Sequence, residues 1–332
     1  MKALRTHAVG GPETLTLDDI ADPVAGKGEV VVAVKACSIN FPDTLMIRDM
    51  YQFKPQRPYA PGGEFAGVIE SVGEGVSGWK AGDRVIAMTG HGGLAEKVAV
   101  ETGRLFPLPD GVSFEVGASL LMTYATTIYG LQDRGHLKAG DTLLVLGAAG
   151  GVGLSGIELG KAMGARVVAA VSSEVKAQVA REAGADEVVI YGRPPFDKDQ
   201  ARSLTEAFKA ACGADGANVV YDIVGGEYSE AALRAIAWEG RFLVVGFPAG
   251  IAKLPLNLTL LKSCDVCGVF WGGFIARDPA ANAAHVAELF RLLADGKIAP
   301  RVSETFPLER GGDAIAKLAN REAVGKLVVT MG

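Results

Sequence analysis

From about residue 140 onward the chain alternates strand-like and helix-like runs, and no other feature restricts its fold as tightly. "DTLLVLGAAG", "ARVVAAVSS", "DEVVIY", "ANVVYDIVGG" and "RFLVVGF" read as strands. Between them stand the helical stretches "GVGLSGIELGKAMG", "EVKAQVAREAG", "SLTEAFKAACG" and "YSEAALRAIAWEG". Strict alternation with short links implies right-handed β-α-β units in one parallel sheet. The strands are apolar without a period of two, as expected when helices cover both faces. The expected class is α/β, a Rossmann-type doubly wound sheet.

The first strand-to-helix junction, "LLVLGAAGGVG" at 143–153, has the chemistry of a pyrophosphate cradle. Its glycines permit a tight turn and close backbone approach, and the helix start offers free N–H groups and a partial positive charge. Ala149, Gly150, Gly151, Val152 and Gly153 are the expected contacts. The second strand ends in Ser172 and Ser173, where a site for NAD usually carries an acid on the ribose diol. Two hydroxyls and Lys176 suit a 2′-phosphate instead, so NADPH is the expected cofactor. Glu174 is assigned to the helix start, pointing outward, and Tyr191 and Arg193 are expected to border the adenine and its phosphate.

The first ~120 residues read differently. "GEVVVAVKACSI", "GEFAGVIESVG", "GDRVIAM" and "GGLAEKVAV" are short glycine-punctuated runs of Val, Ile and Ala, followed by a helical stretch with Ser113 as its N-cap. The 332 residues suit about two domains. A formal charge of −5 without a Lys/Arg cluster gives no electrostatic case for nucleic acid. No apolar run reaches the ~20 residues of a membrane span. The polar, alternating start "MKALRTHAVGGPETLTL" lacks a signal peptide's apolar region, which makes a cytoplasmic location the expectation. "CDVC" at 264–267 has no second pair or paired histidines, and buried core cysteine is its expected role.

Taken together, "VKACSINFPDTL" (34–45), "PGGEFAGVIESVGEGV" (61–76), "LGAAGGVGLSGIELGKAMGARVVAAVSS" (146–173) and "AVGKLVV" (323–329) resemble the zinc-free branch of the medium-chain dehydrogenases/reductases, closest to its zeta-crystallin-like quinone oxidoreductases. The resemblance spans essentially the whole chain. It implies a GroES-like β-rich catalytic domain (1–123 and 266–332) with a Rossmann NADP-binding domain (124–265) inserted, and a reacting centre in the cleft between them. It further implies a homodimer joined at the sheet edge around "VCGVFWGG".

Zinc-binding relatives carry Cys where this chain has Asn40 and His where it has Gly63, so the resemblance implies no metal. Without a Lewis acid, alcohol oxidation loses its alkoxide stabilisation, whereas hydride addition to a quinone or enone remains feasible. By family position, Asn40, Asp43 and Tyr51 are the expected catalytic groups: Asn40 offering an amide N–H, Tyr51 a phenol, Asp43 orienting its neighbours. "INFPD" also has turn chemistry, so Asn40 and Asp43 alternatively serve a helix start. Glu64 is expected to receive backbone donors in its bend. Thr127, Gly246, Phe247, Pro248, Val269, Phe270 and Trp271 match family positions around the nicotinamide, and Trp271 either walls the substrate pocket or fills the dimer edge. The leading reading is an NADPH-dependent reductase of quinones or other conjugated carbonyls. The alternatives are an enoyl-thioester or 2-haloacrylate reductase, and a non-catalytic NADPH-binding protein.

Overall fold

A computed structural model describes residues 1–332. The chain divides into two compact units, one of Met1–Met122 with Pro300–Gly332 and one of Thr123–Ala299. In chain order the first contains β1 (Lys2–Thr6), β2 (Leu15–Asp19), β3 (Glu29–Ser38), α1 (Phe41–Met46), β4 (Glu64–Val72), β5 (Arg84–Met88), β6 (Lys97–Glu101), β7 (Leu105–Pro107) and α2 (Phe114–Gly117). The second contains α3 (Thr126–Ile128), β8 (Thr142–Leu146), α4 (Gly151–Ala162), β9 (Arg166–Val171), α5 (Glu174–Glu182), β10 (Glu187–Ile190), α6 (Lys198–Cys212) and β11 (Ala217–Asp222). It continues through α7 (Tyr228–Arg234), β12 (Ile236–Val244), α8 (Asn257–Lys262), β13 (Asp265–Gly268), α9 (Trp271–Arg277) and α10 (Pro279–Ala294). Then β14 (Val302–Pro307), α11 (Gly311–Ala319) and β15 (Lys326–Thr330) complete the first unit. No helix is long and apolar enough to cross a membrane.

The first unit is built on β3. This ten-residue strand pairs antiparallel with β4 along its length, with β6 over Glu29–Ala33 and with β15 over Ala36–Ser38. Its Val30, Val32 and Val34 join Phe65, Ile69, Val85, Leu94, Leu327 and Val329 in one core. Two β3–β4 register shifts bend the sheet, one of them opposite Gly67, where a Cβ would stand 2.1 Å from the Ala33 carbonyl oxygen. Glycine is required there because the backbones approach too closely for any side chain.

The second unit has a six-stranded parallel sheet in the order β10-β9-β8-β11-β12-β13. From β8 the chain winds outward to β10, then returns to β11 beside β8 and winds outward the other way. This is the doubly wound order, and the crevice at the carboxyl ends of its strands is where ligands bind in such sheets. Two sequence expectations need correction. Residues 266–299 were expected in the β-rich domain, but β13 pairs parallel with β12 and its chain continues into α9 and α10 of the second unit. The helix expected through "YSEAALRAIAWEG" stops at Arg234, and β12 begins at Ile236, which pairs with Ala217. A kink with Glu239 at φ 56° and a register shift let β12 resume pairing at Arg241. The hydrogen-bonding demand of β11 outweighs the helix propensity of "RAIAWE".

Candidate active site

Three neighbouring strand ends meet in the first unit. Ser38 closes β3 and stands opposite Glu64, which opens β4, while Lys326 opens β15 on the other side of β3. The chain then turns at Asn40 into α1. All five polar residues of this knot are buried: Ser38, Asn40, Asp43, Glu64 and Lys326.

Their contacts form one network. Lys326 Nζ donates to Asn40 Oδ1 at 2.7 Å and lies 3.6 Å from Glu64 Oε2. Glu64 Oε2 accepts from Ser38 Oγ at 2.8 Å and Asn40 Nδ2 at 3.1 Å, and its Oε1 accepts from the Met122 N–H at 2.8 Å. Asp43 takes the Asn40 N–H at 2.8 Å and the Gly62 N–H at 2.9 Å, joining the start of α1 to the glycine bend. Burial pushes the Asp43 carboxyl up to about 6, against its two backbone donors and Lys326. Burial also lowers the Lys326 ammonium, against the attraction of Glu64 and Asp43. Tyr51 is half-buried just after α1, and burial followed by the Asp43 charge raises its phenol, which therefore stays a donor.

The Asn40 amide has a further property. Its Nδ2 lies 3.1 Å from Glu64 Oε2 and 3.2 Å from Ser38 Oγ, and those two oxygens are 2.8 Å apart. The three atoms form a near-equilateral triangle, so both acceptors lie within the reach of one N–H.

Gly63 explains the segment that distinguishes this chain from zinc-binding relatives. A Cβ on it would meet the Gly90 backbone at 2.9–3.0 Å, because the 89–90 turn donates two N–H groups to the Gly63 carbonyl. No histidine fits there without moving that turn. Cys37, the nearest thiol in sequence, is fully buried beneath Gly62 and Gly93, where a Cβ would lie 2.5 and 2.8 Å from its sulfur. Burial holds it well above the usual thiol range, so it stays a thiol rather than a metal-binding thiolate.

In the second unit the residues expected around a nucleotide follow the carboxyl ends of β8, β9, β10, β12 and β13. Gly147 turns at φ 68°, and Gly153 approaches so closely that a Cβ would stand 2.3 Å from the Gly147 oxygen. Gly150 caps α4 in extended conformation without a side-chain partner, leaving the first helical N–H groups of Gly151, Val152 and Gly153 to an anion. Ala149 lies buried in the same turn. Ser172 and Ser173 follow β9, and the Ser173 hydroxyl accepts from the Lys176 N–H at the start of α5. Glu174 is exposed and paired with Arg181 at 2.7 Å, turned along the helix. Lys176 is half-buried, its ammonium lowered by burial and then by the Arg193 charge, so two cations bear on each other after β9 and β10. Tyr191 packs on Tyr228 with ring centroids 4.6 Å apart. Gly246, Phe247 and Pro248 follow β12, where Ala249 and Gly250 bond back to the turn at Val224 and Gly226.

Two expected cofactor contacts are buried and bonded within the second unit. Thr127 is completely buried; its hydroxyl donates to the Thr123 carbonyl, contacts Ser155 Oγ at 2.6 Å and accepts from Tyr221 at 3.0 Å. Trp271 is also buried, its indole donating to Asn282 of α10 at 2.9 Å. Of the stretch 269–271, Val269 is buried and Phe270 is the exposed ring. Glu64 was expected to receive donors from its own bend; its one backbone donor is instead Met122, and its other carboxylate oxygen serves side chains. Lys326 and Ser38 were missed altogether. A lysine opening an apolar strand reads as a solvated strand end, and only the pairing of β15 with β3 carries it inward.

The family models for an alcohol dehydrogenase GroES-like domain and a zinc-binding dehydrogenase match residues 26–110 and 151–289. Quinone oxidoreductase-like protein 2 of Bos taurus is 36% identical over 96% of this chain and 89% of its own length. A mycobacterial protein solved in complex with NADPH superposes with a TM-score of 0.90 at 31% identity, covering 99% of this chain and 100% of that one. Escherichia coli quinone oxidoreductase, also complexed with NADPH, gives 0.89 at 30% identity over 99% and 100%. With this coverage and the glycine-loop nucleotide unit on a GroES-like partner, the chain belongs to the zinc-free quinone oxidoreductase family of medium-chain dehydrogenases/reductases.

Proposed function

We propose that the protein is an NADPH-dependent oxidoreductase that reduces quinones or other conjugated carbonyls by hydride transfer without zinc. The observation that carries the reading is the pair of cations after β9 and β10, Lys176 and Arg193, beside Ser172 and Ser173, with Glu174 paired to Arg181. That end of the sheet suits a 2′-phosphate and places no carboxylate to repel it. The first N–H groups of α4 would hold the pyrophosphate, and the chain at Gly246–Pro248 and Val269–Phe270 would border the nicotinamide half. NADPH, when bound, supplies the hydride.

The remaining work falls to this chain's own groups. Hydride addition to a conjugated carbonyl builds negative charge on an oxygen, which fixed donors stabilise. The Asn40 amide and the Tyr51 phenol are the donors we assign, with Asp43 holding Asn40 and Gly62 in place. The donor set does not suit zinc: an amide at 40, no room for a side chain at 63, and a buried neutral thiol at 37. We also assign a homodimer through β13, the exposed edge of the parallel sheet, where Val266 is 41% exposed.

The test is nicotinamide absorbance loss by chelator-treated protein with 1,2-naphthoquinone, 2-cyclohexenone, 2-chloroacrylate and crotonyl-CoA, supplied with NADPH or NADH. Fastest turnover of the quinone or enone with NADPH is expected. Preference for crotonyl-CoA or 2-chloroacrylate would reassign the acceptor class. NADPH raising the melting temperature without any turnover would leave a cofactor-binding protein and overturn the reading.

A further inference from the structure

Lys326 is a buried lysine, 4% exposed, and the reaction proposed above gives it no part. The other charged or titratable groups facing it are Glu64, Asp43 and Cys37. Its closest contact is not a carboxylate but the amide oxygen of Asn40, at 2.7 Å against 3.6 Å for Glu64. Neutralising Glu64 alone would not call for this arrangement, since an apolar residue facing a neutral one serves stability as well as a buried ion pair.

Asn40 stands at the N-cap of α1. An asparagine there ordinarily turns its side-chain oxygen onto an N–H of the first helical turn. Here the Asp43 N–H is given to the backbone carbonyl of Asn40 at 3.0 Å, and Asp43 in return accepts the Asn40 N–H at 2.8 Å. The Asn40 side-chain oxygen goes to Lys326 instead, the charge-assisted partner being the stronger one. With Oδ1 held by an ammonium, Nδ2 faces Ser38 and Glu64.

We propose that Lys326 is a positioning residue for carbonyl reduction: by holding Oδ1 of Asn40 it fixes which way that amide faces, keeping Nδ2 on the Ser38–Glu64 side to donate to the substrate oxygen. The proposal rests on the functional reading above, because the facing of Nδ2 matters only if an oxygen arrives there. Lys326 contributes no proton and touches no substrate; its effect passes through Asn40.

The experiment uses Lys326→Met and, because that variant leaves Glu64 buried without its cation and may not fold, Lys326→Met/Glu64→Gln, with Glu64→Gln as control. In crystals of either Lys326→Met protein the Asn40 side chain should swing to within about 3 Å of the Asp43 N–H. An unmoved Asn40 overturns the proposal. With the wild type's best acceptor, kcat should fall about tenfold or more while KM for NADPH stays unchanged. Adding Asn40→Ala to the Lys326→Met/Glu64→Gln protein should cost almost nothing further, whereas Asn40→Ala in Glu64→Gln should cost nearly the full amount. Losses that multiply would show that Lys326 does not act through Asn40 and overturn the proposal. If the wild type reduces no acceptor, the functional reading fails by itself, and the Asn40 rotamer still decides the positioning.

Discussion

Each compact unit buries a polar cluster, and the two are made of different chemistry. The second unit encloses neutral hydroxyls: Thr127, Ser155 and Tyr221, bonded to one another and to the Thr123 carbonyl. The first encloses charges: Glu64, Asp43 and Lys326, bridged by Ser38 and Asn40. Hydroxyls satisfy each other at little cost and serve to join α3, α4 and β11. Ionised groups out of water are expensive even when paired, and their retention marks a place where a fixed field and fixed donors are wanted. Burial, and after it the Glu64 charge, raises the Asp43 carboxyl.

The sharpest way to break this contrast is Glu64→Leu, which strands the Lys326 ammonium and removes the acceptor of Ser38, Asn40 and the Met122 N–H. A loss of about 3–5 kcal/mol is expected in urea unfolding. A loss below about 1 kcal/mol would mean that water reaches the cluster and that the two regions differ less than their contacts imply.

The pH response comes next. Asp43 titrates at about 6 in the folded protein, above its usual value of 3.8. The sign follows from that raised value: its contribution to stability is fully present below about 4 and is lost as pH rises through about 6. Relative to Asp43→Asn, the wild type should therefore gain up to about 3 kcal/mol of unfolding free energy between pH 7 and pH 4. Activity should move the opposite way, because the neutral carboxyl holds the Asn40 and Gly62 N–H groups more weakly. We expect kcat/KM to fall about tenfold per unit below pH 6. A flat profile down to pH 5 would separate Asp43 from the reaction. The hydroxyl cluster has nothing to titrate in that range.

Smallest is Tyr221→Phe, which deletes one neutral hydrogen bond onto Thr127. The cost should be about 1 kcal/mol in thermal or urea unfolding, with KM for NADPH unchanged. A large rise in that KM would return Thr127 to the cofactor, where its family position had put it.

Much of the second unit was legible because its information is local. Each strand-helix pair carries its own apolar period, and the turn at Gly147–Gly153 needs glycine whatever surrounds it. The error there came from tertiary demand: Ile236 joined a strand because β11 offered it hydrogen bonds. In the first unit the glycines at 62, 63 and 67 announced a bend without saying what approached them. Ser38, Glu64 and Lys326 lie 26 and 262 residues apart along the chain, as the numbering gives, and no local pattern relates them.

By itself the sequence determined the parallel sheet, the anion-binding turn and the absence of a side chain at Gly63, since each depends on backbone period or backbone freedom over a few residues. Only the tertiary structure decided that Lys326 is buried, that Asn40 faces it rather than its own helix, and that Thr127 is sealed inside. Those outcomes depend on which strands become neighbours. Burial and partnership, which set the cost of a charge and the direction of an amide, are properties of that pairing rather than of any residue alone.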